Sequence, residues 1–164
     1  MSREGRVEQR SRLDAPAAAV WERIITPEGI NHELMPLMRM TVPRGVDALD
    51  PTSVPVGERL FRSWVLLFGF IPFDYDDIGL VRFEPGRGFH ERSTMLTQRI
   101  WEHERTLEPD GGGCLVTDRL RFQPRPAVPL TVTRRLVAAT FAHRHRRLRD
   151  YFGGAQAGLG TIPR

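Results

Sequence analysis

The longest periodic stretch of apolar residues lies near the C-terminus, in residues 129–152. Its apolar members are Leu130, Val137, Phe141, Leu148 and Phe152. Their spacing is that of one face of an α-helix. Pro129 suits a first helical turn, and Gly153 ends the helix because glycine adopts the left-handed conformation without strain. The pattern therefore predicts one long amphipathic helix that needs a broad apolar surface to cover.

The rest of the chain shows mainly the alternation of apolar and polar residues that is typical of strands. Strict alternation in residues 5–13 predicts a half-buried strand. Two short helices follow, the first in residues 16–25 and the second from Thr26, a helix-capping residue, to Pro36. Further strands are predicted at residues 38–42, 58–68, 73–84, 89–97, 99–107 and 114–123, with a loop at 44–57 and a disordered end at 155–164.

This order of elements predicts an α+β fold. An antiparallel sheet with one apolar face needs cover on that face, and the long helix supplies it. We expect a helix-grip arrangement in which a curved antiparallel sheet of about seven strands wraps around the C-terminal helix. Two short helices follow the first strand. Residues 1–152 would form one domain, and residues 153–164 a flexible tail.

Four stretches of sequence carry a family resemblance. They are residues 11–21, which include APAAAVW, residues 101–109, residues 112–118 and residues 141–148. In this order and spacing they resemble the START/Bet v 1-type helix-grip superfamily, also called the SRPBCC or polyketide cyclase-like superfamily. The resemblance runs from about Arg6 to Phe152. It implies a cavity between sheet and helix, in a group whose members bind lipids, sterols, polyketides or plant hormones, catalyse cyclisation or dehydration, or act as co-chaperones.

Composition limits the classes of function that need consideration. The formal charge is +4, yet every basic residue is arginine and these are spread over the chain. The dense run at residues 144–149 is not interleaved with aromatic residues, so we expect a solvated helix face and no nucleic-acid partner. A single cysteine, Cys114, a charged N-terminus and no apolar run long enough to span a bilayer favour a cytoplasmic protein.

Candidate chemistry concentrates on the predicted hairpin around Gly111. Trp101, His103 and Arg105 share one face of its first strand, and Asp118 and Leu120 share a face of its second. A loop at residues 110–113 places Arg105 directly opposite Asp118, within pairing reach. A buried charge needs such a partner, so the sequence predicts an Arg105–Asp118 ion pair on the side that faces the cavity.

The predicted site combines apolar walls with a few polar anchors. Its members are Trp64, Trp101, His103, Arg105, Asp118, Leu120, Val137, Phe141 and Arg144. His103 is the best catalytic candidate because histidine titrates near neutrality. The alternative is a satisfied polar cluster that fixes the helix to the sheet. No metal or cofactor is predicted, since Asp74, Asp76 and Asp77 fit a solvated strand end without the histidine that a ligand set needs.

The leading hypothesis is a protein that binds a small hydrophobic or aromatic ligand. One alternative is a polyketide cyclase/dehydratase-like enzyme, and another is a co-chaperone-like or dimeric interaction protein. The stretch from Leu66 to Phe73 is apolar on both faces of a turn. It would form an apolar lip at the cavity mouth or contact a membrane or a second subunit in a homodimer, unless the loop at residues 44–57 covers it.

Overall fold

One antiparallel sheet and one long helix organise this computed structural model, which describes residues 3–47 and 56–158. In order, the elements are β1 (Gly5–Leu13), α1 (Ala17–Ile24), α2 (Pro27–Leu34), β2 (Met38–Met40), β3 (Arg59–Leu67), β4 (Ile71–Glu84), β5 (Gly88–Met95), β6 (Gln98–Asp110), β7 (Gly113–Pro124), α3 (Leu130–Phe152) and β8 (Gly154–Gln156). The strands lie in the order β2-β3-β4-β5-β6-β7-β1-β8. The predicted α+β helix-grip class is confirmed.

The last strand differs from the prediction. Residues 153–164 are expected to be a flexible tail, but Gly154–Gln156 pairs with Ser11–Leu13 of β1. Gly153 and Gly154 have φ angles of 76° and 119°, which turn the chain back onto the sheet edge. A Cβ atom on Gly154 would lie 2.0 Å from the carbonyl oxygen of Arg12, so only glycine fits there. Residues 159–164, and residues 48–55 of the predicted loop, lie outside the described residues.

Helix α3 has the predicted length and packs mainly against β1, β7 and α2. Val137, Phe141 and Leu148 are buried on its inner face, as the periodicity predicts. Arg144 and His145 are also buried, so the prediction of a solvated face for residues 144–149 is wrong at these two positions. Their burial follows from the helical wheel, because they flank the stripe that carries Phe141 and Leu148.

Two apolar clusters lie in the interior formed by residues 3–47 and 56–158. At the end of the sheet near the β6–β7 turn, α1 closes the space with side chains from β1, β6, β7 and the end of α3. This cluster contains Leu13, Val20, Trp21, Ile24, Leu107, Cys114, Val116 and Leu148. The second cluster lies toward the opposite end and contains Leu120, Phe122, Val137 and Phe141, with Val7, Trp101 and Leu130 against it. Polar side chains of β6, β7 and α3 that lie between these positions in sequence are buried as well.

The opposite end of the sheet, which we name the open end, carries exposed apolar side chains. The α2–β2, β3–β4 and β5–β6 connections and the start of α3 all lie there. Leu37, Phe68, Phe70, Leu96, Val132 and Leu136 are exposed on these segments, and we name this set the apolar rim. The amide of Phe68 donates to the carbonyl of Leu37 (2.8 Å), so two of the segments are joined directly.

Gly88 offers a test of how closely β5 approaches β6. A Cβ atom at Gly88 would lie 2.1 Å from the carbonyl oxygen of Arg105, and its φ of 150° is rare for other residues. We expect Gly88→Ala to lower the free energy of unfolding by about 2 kcal/mol or more in a urea titration. Gly112→Ala is the control, since nothing lies within 4 Å of its Cβ position. Equal stability of the two variants would contradict this close approach.

Candidate functional site

Arg105 lies at the centre of the buried polar groups. It faces Asp118 across the β6–β7 ladder, in the register that the sequence predicts. Its Nε donates to Asp118 Oδ1 (2.7 Å) and its Nη2 to Asp118 Oδ2 (2.7 Å). The predicted ion pair is therefore present, with both side chains fully buried.

Helix α2 adds a residue that sequence reasoning missed. Glu33 is buried, and its two oxygens accept from Nη1 and Nη2 of Arg105, each at 2.9 Å. Arg144 of α3 donates from Nε to Glu33 Oε2 at 2.9 Å. Glu33 thereby joins α2, α3 and the sheet. It lies 72 positions from Arg105 in the chain, and no local pattern announces so distant a partner.

Two histidines complete the shell around Asp118. His103 Nε2 lies 2.8 Å from Asp118 Oδ1, and His145 Nε2 lies 2.9 Å from Asp118 Oδ2. His145 Nδ1 is 2.9 Å from the hydroxyl of Ser11 on β1. The ring of His103 stands edge-on to Phe141, with 5.0 Å between centroids. Strands and helix thus meet at one carboxylate.

Charge explains why these groups tolerate burial. Burial by itself would raise the pKa of Asp118, but Arg105 and then His103 lower it to well below its ordinary value. Burial would likewise raise the pKa of Glu33, and Arg105 and Arg144 lower it. Burial opposes the charge on Arg105, yet the two carboxylates raise its pKa. Because every guanidinium nitrogen of Arg105 already donates to Glu33 or Asp118, this geometry favours a tie between helix and sheet.

A second buried acidic group lies on β4 and β5. Asp74 accepts from the amide of Leu96 (2.8 Å) and from the hydroxyl of Thr97. Asp76 is 4% exposed. The predicted solvated strand end is therefore wrong for both residues, because β4 runs through the middle of the sheet and these positions point inward. Asp77 lies on the outer face and pairs with Arg62 (2.7 Å).

Asp76 is linked to the first group through Glu91. Ser93 donates to Glu91 Oε1 (2.6 Å), and Glu91 Oε2 lies 3.9 Å from His103 Nδ1. Burial, and then the neighbouring charge of Glu91, raise the pKa of Asp76 well above its ordinary value. Carboxyl and imidazole groups thus run from Asp76 through Glu91 and His103 to Asp118.

The predicted apolar walls are partly assembled. Trp101, Leu120, Val137 and Phe141 lie together, with ring centroids of Trp101 and Phe141 6.4 Å apart. Trp64 does not join them, and its assignment as a wall is wrong. It is 47% exposed and stands edge-on to Tyr75. Its neighbours Ser63 and Val65 take the inward positions of β3, so strand alternation turns Trp64 outward.

Hydrogen bonds connect the segments of the apolar rim. Arg125, just before α3, donates from Nε to the carbonyl of Leu96 (2.8 Å). His143 Nε2 lies 2.9 Å from the carbonyl of Met35, and Leu136 lies seven residues before His143 on the same helix face. Within the predicted lip at 66–73, Phe70 is 73% exposed, and Phe68, Ile71 and Phe73 are also exposed. Its role in a homodimer stays a prediction.

Three further observations bear on other kinds of site. An open groove of about 720 Å³ is lined by residues of α2 and of segment 39–47, but by none of the predicted site residues. In the described residues, histidine, cysteine, aspartate and glutamate do not gather into a group of three that would hold a metal ion. Of the helices described, none combines the length and apolar character that crossing a membrane requires.

A family model described as a domain of unknown function, DUF8410, matches residues 11–152. The chain belongs to this family. Among curated proteins, none matches the sequence.

Solved structures place this DUF8410 chain in a known fold. A START superfamily protein from Mycobacterium smegmatis is similar with a TM-score of 0.67 and 12% identity, over 90% of this chain and 96% of that one. Ara h 8.0201 is similar with a TM-score of 0.63 and 13% identity, over 91% of this chain and 97% of that one. CalU16 from Micromonospora echinospora is similar with a TM-score of 0.56 and 19% identity, over 91% of this chain and 75% of that one. These likenesses confirm the START/Bet v 1-type helix-grip fold.

Removal of the Glu33 charge tests the tie between α2, α3 and the sheet. Glu33→Gln leaves two buried guanidinium groups with one carboxylate fewer, so we expect a loss of about 3–5 kcal/mol in the free energy of unfolding. Glu28→Gln on the same helix is the control, since the Glu28 side chain is 84% exposed. Urea unfolding measures both variants. A Glu33→Gln protein as stable as the control would show that the contacts carry little energy.

The pH dependence of stability follows from the same carboxylates. The folded pKa values of Glu33 and Asp118 lie below their ordinary values of 4.5 and 3.8. Their contribution to the free energy of unfolding is therefore fully present above about pH 5. It is lost as the pH falls through the lowered pKa values of the folded protein, because the unfolded chain binds protons at a higher pH. Unfolding free energies measured from pH 7 to pH 2 should fall less steeply below pH 4 in Glu33→Gln than in Glu28→Gln. Parallel curves would exclude this linkage.

Proposed function

We propose that this protein binds a small hydrophobic or aromatic molecule between the first half of α3 and the inner face of β3–β6. The observation that carries the proposal is the apolar rim, which surrounds the open end of the sheet above buried polar groups. Exposed apolar side chains that gather around one opening favour a ligand entrance. A mostly apolar space with a few polar groups is the usual design of a small-molecule site.

Side-chain size on the inner face supports this location. Ser63, Val65 and Ser93 are buried and small, and they occupy inward positions on β3 and β5. The main contacts of α3 lie with β1, β7 and α2, on the other side of the sheet centre. Because these side chains are small and α3 packs mainly against other elements, space for a ligand is favoured between α3 and this part of the sheet. Trp101 and Phe141 supply an aromatic wall beside it.

The resemblance to START/Bet v 1-type proteins supports the same reading, because members of that superfamily bind hydrophobic ligands in this part of the fold. The apolar ligand class comes from the resemblance together with the rim. The interaction-protein alternative uses the same rim as a contact for a second chain. It predicts concentration-dependent dimers and an interior closed to small molecules.

A polyketide cyclase/dehydratase-like activity is the second candidate. The arrangement of His103 favours it: the ring lies between Asp118, 2.8 Å from Nε2, and Glu91, 3.9 Å from Nδ1. An ionised Asp118 accepts the Nε2 proton and leaves Nδ1 as the basic nitrogen, which is the arrangement that general acid–base catalysis uses. This candidate predicts that His103→Gln abolishes turnover of a poly-β-ketone substrate but preserves ligand binding.

Binding of N-phenyl-1-naphthylamine, an uncharged fluorescent probe of apolar cavities, tests the proposal. We expect saturable binding to wild type and about tenfold weaker binding to Val65→Phe, which fills the inner face of β3. Val81→Phe is the control, because Val81 is exposed on β4. Thermal unfolding checks that both variants fold.

Two results would contradict the proposed binding site. A wild-type protein that does not bind the probe, and whose light scattering shows a concentration-dependent dimer, would favour the interaction-protein alternative. Equal binding by wild type, Val65→Phe and Val81→Phe would place the probe outside the proposed space.

A further inference from the structure

One buried carboxyl oxygen has no hydrogen-bond partner among the described residues. It is Oδ1 of Asp76, at an inward position in the middle of β4. Ser63 of β3 lies directly opposite, and Ser93 and Glu91 of β5 approach from the other side. A buried acceptor without a partner costs free energy, so its presence calls for an explanation.

The surroundings of Asp76 favour its uncharged form. The titratable groups that raise its pKa are Glu91, on β5, and Asp74, on the same strand, both acidic. Across the sheet, Glu91 faces His103 of β6 at 3.9 Å. Simultaneous ionisation of two adjoining carboxyl groups that are largely removed from water is disfavoured, because the like charges repel. One proton shared between Asp76 and Glu91 would leave Asp76 with a carbonyl oxygen that can accept a hydrogen bond.

The position of this acceptor relates it to the proposed ligand space. Asp76 lies on the inward face of the sheet, directly opposite Ser63 and one inward position away from Val65, the small side chains beneath the open end. Asp74, two residues closer to the open end, has its oxygens bound to the β5–β6 connection. Asp76 therefore offers an unoccupied acceptor below the rim, whereas Asp74 does not.

We propose that Asp76 Oδ1 anchors a hydroxyl-bearing aromatic ligand by accepting a hydrogen bond from its phenol or alcohol group. This inference rests on the proposed function and adds the chemical class of the ligand. The apolar ring would pack against Trp101 and Phe141. The pair with one shared proton carries one negative charge, which disfavours a ligand carboxylate by repulsion, and an uncharged hydroxyl donor binds without the desolvation cost of an ammonium group.

Four naphthalene probes of similar size test the anchor by isothermal titration at pH 7: 2-naphthol, 2-methoxynaphthalene, 2-naphthoate and 2-naphthylmethylamine. We expect 2-naphthol to bind wild type about tenfold more tightly than 2-methoxynaphthalene, as one buried hydrogen bond allows. Asp76→Leu should bind the two equally, whereas Asp76→Asn should keep the preference because its amide retains a carbonyl acceptor. Asp77→Leu, on the outer face of the same strand, is the matched control and should keep it too.

The results that overturn the anchor differ from those that overturn the proposed function. Equal binding of 2-naphthol and 2-methoxynaphthalene to wild type would remove the anchor and leave the cavity in place. A preference for 2-naphthylmethylamine over 2-naphthol would show that the negative charge of the pair, rather than a neutral acceptor, selects the ligand, and would also remove the anchor. Binding of N-phenyl-1-naphthylamine without binding of 2-naphthol would do the same. Failure of every probe, N-phenyl-1-naphthylamine included, would overturn both proposals.

Two measurements without ligand check the shared proton and the folding of the variants. Infrared spectra at pH 7 should contain a protonated-carboxyl C=O band in wild type that Asp76→Asn lacks, and its absence from wild type would refute the shared proton. The pKa of Asp76 is raised in the folded protein, so its contribution to the free energy of unfolding declines as the pH rises above the ordinary pKa of 3.8. Asp76→Asn should therefore be at least as stable as wild type at pH 8, and a lower stability would contradict a protonated Asp76.

Discussion

The fold depends on one buried guanidinium group. Arg105 is removed from water in the middle of the sheet, which is tolerable only because Asp118 and Glu33 surround it with four short hydrogen bonds. One of these carboxylates belongs to β7 and the other to α2, and Arg144 of α3 bonds to the second. Removing any partner would leave a charge in a medium of low dielectric constant, so these elements keep one relative position.

The buried polar groups around Arg105, which we call the polar layer, lie between two parts of the interior that differ in composition. Toward the β6–β7 turn, α1 and the end of α3 close an apolar core around Trp21 and Leu148. Toward the open end, the side chains of the apolar rim stay exposed, and the inner face of β3–β5 carries small and acidic residues. The apolar core near the β6–β7 turn supplies stability. The polar layer holds His103 and Phe141 in place between this core and the open end. The half proposed to bind a ligand can then keep an unpaired acceptor, such as Asp76 Oδ1, at some cost in stability.

Much of the fold was accessible from local patterns, but the site was accessible only in part. The alternation on β6 and β7 and the short loop between them predicted that Arg105 faces Asp118, because a hairpin's loop sets its register. The same alternation did not tell which face of β3 points inward, since Trp64 and Val65 are both apolar, and Trp64 proved to face outward. The acidic run of β4 looked solvated because acidic residues usually are, while its central place in the sheet buries two of the three.

The sequence by itself determined the elements and their periodicity: the long amphipathic helix, the strands, and the pairing of neighbours along the chain. These properties arise from interactions among residues a few positions apart. Only the tertiary structure decided that Glu33 reaches Arg105, that Gly154–Gln156 becomes an edge strand, and that Asp76 lies beside Glu91. The first two contacts join segments far apart in the chain, where packing chooses the partner and no local pattern records it. The third depends on the register of β4 against β5, which a bulge shifts between Leu80 and Arg82.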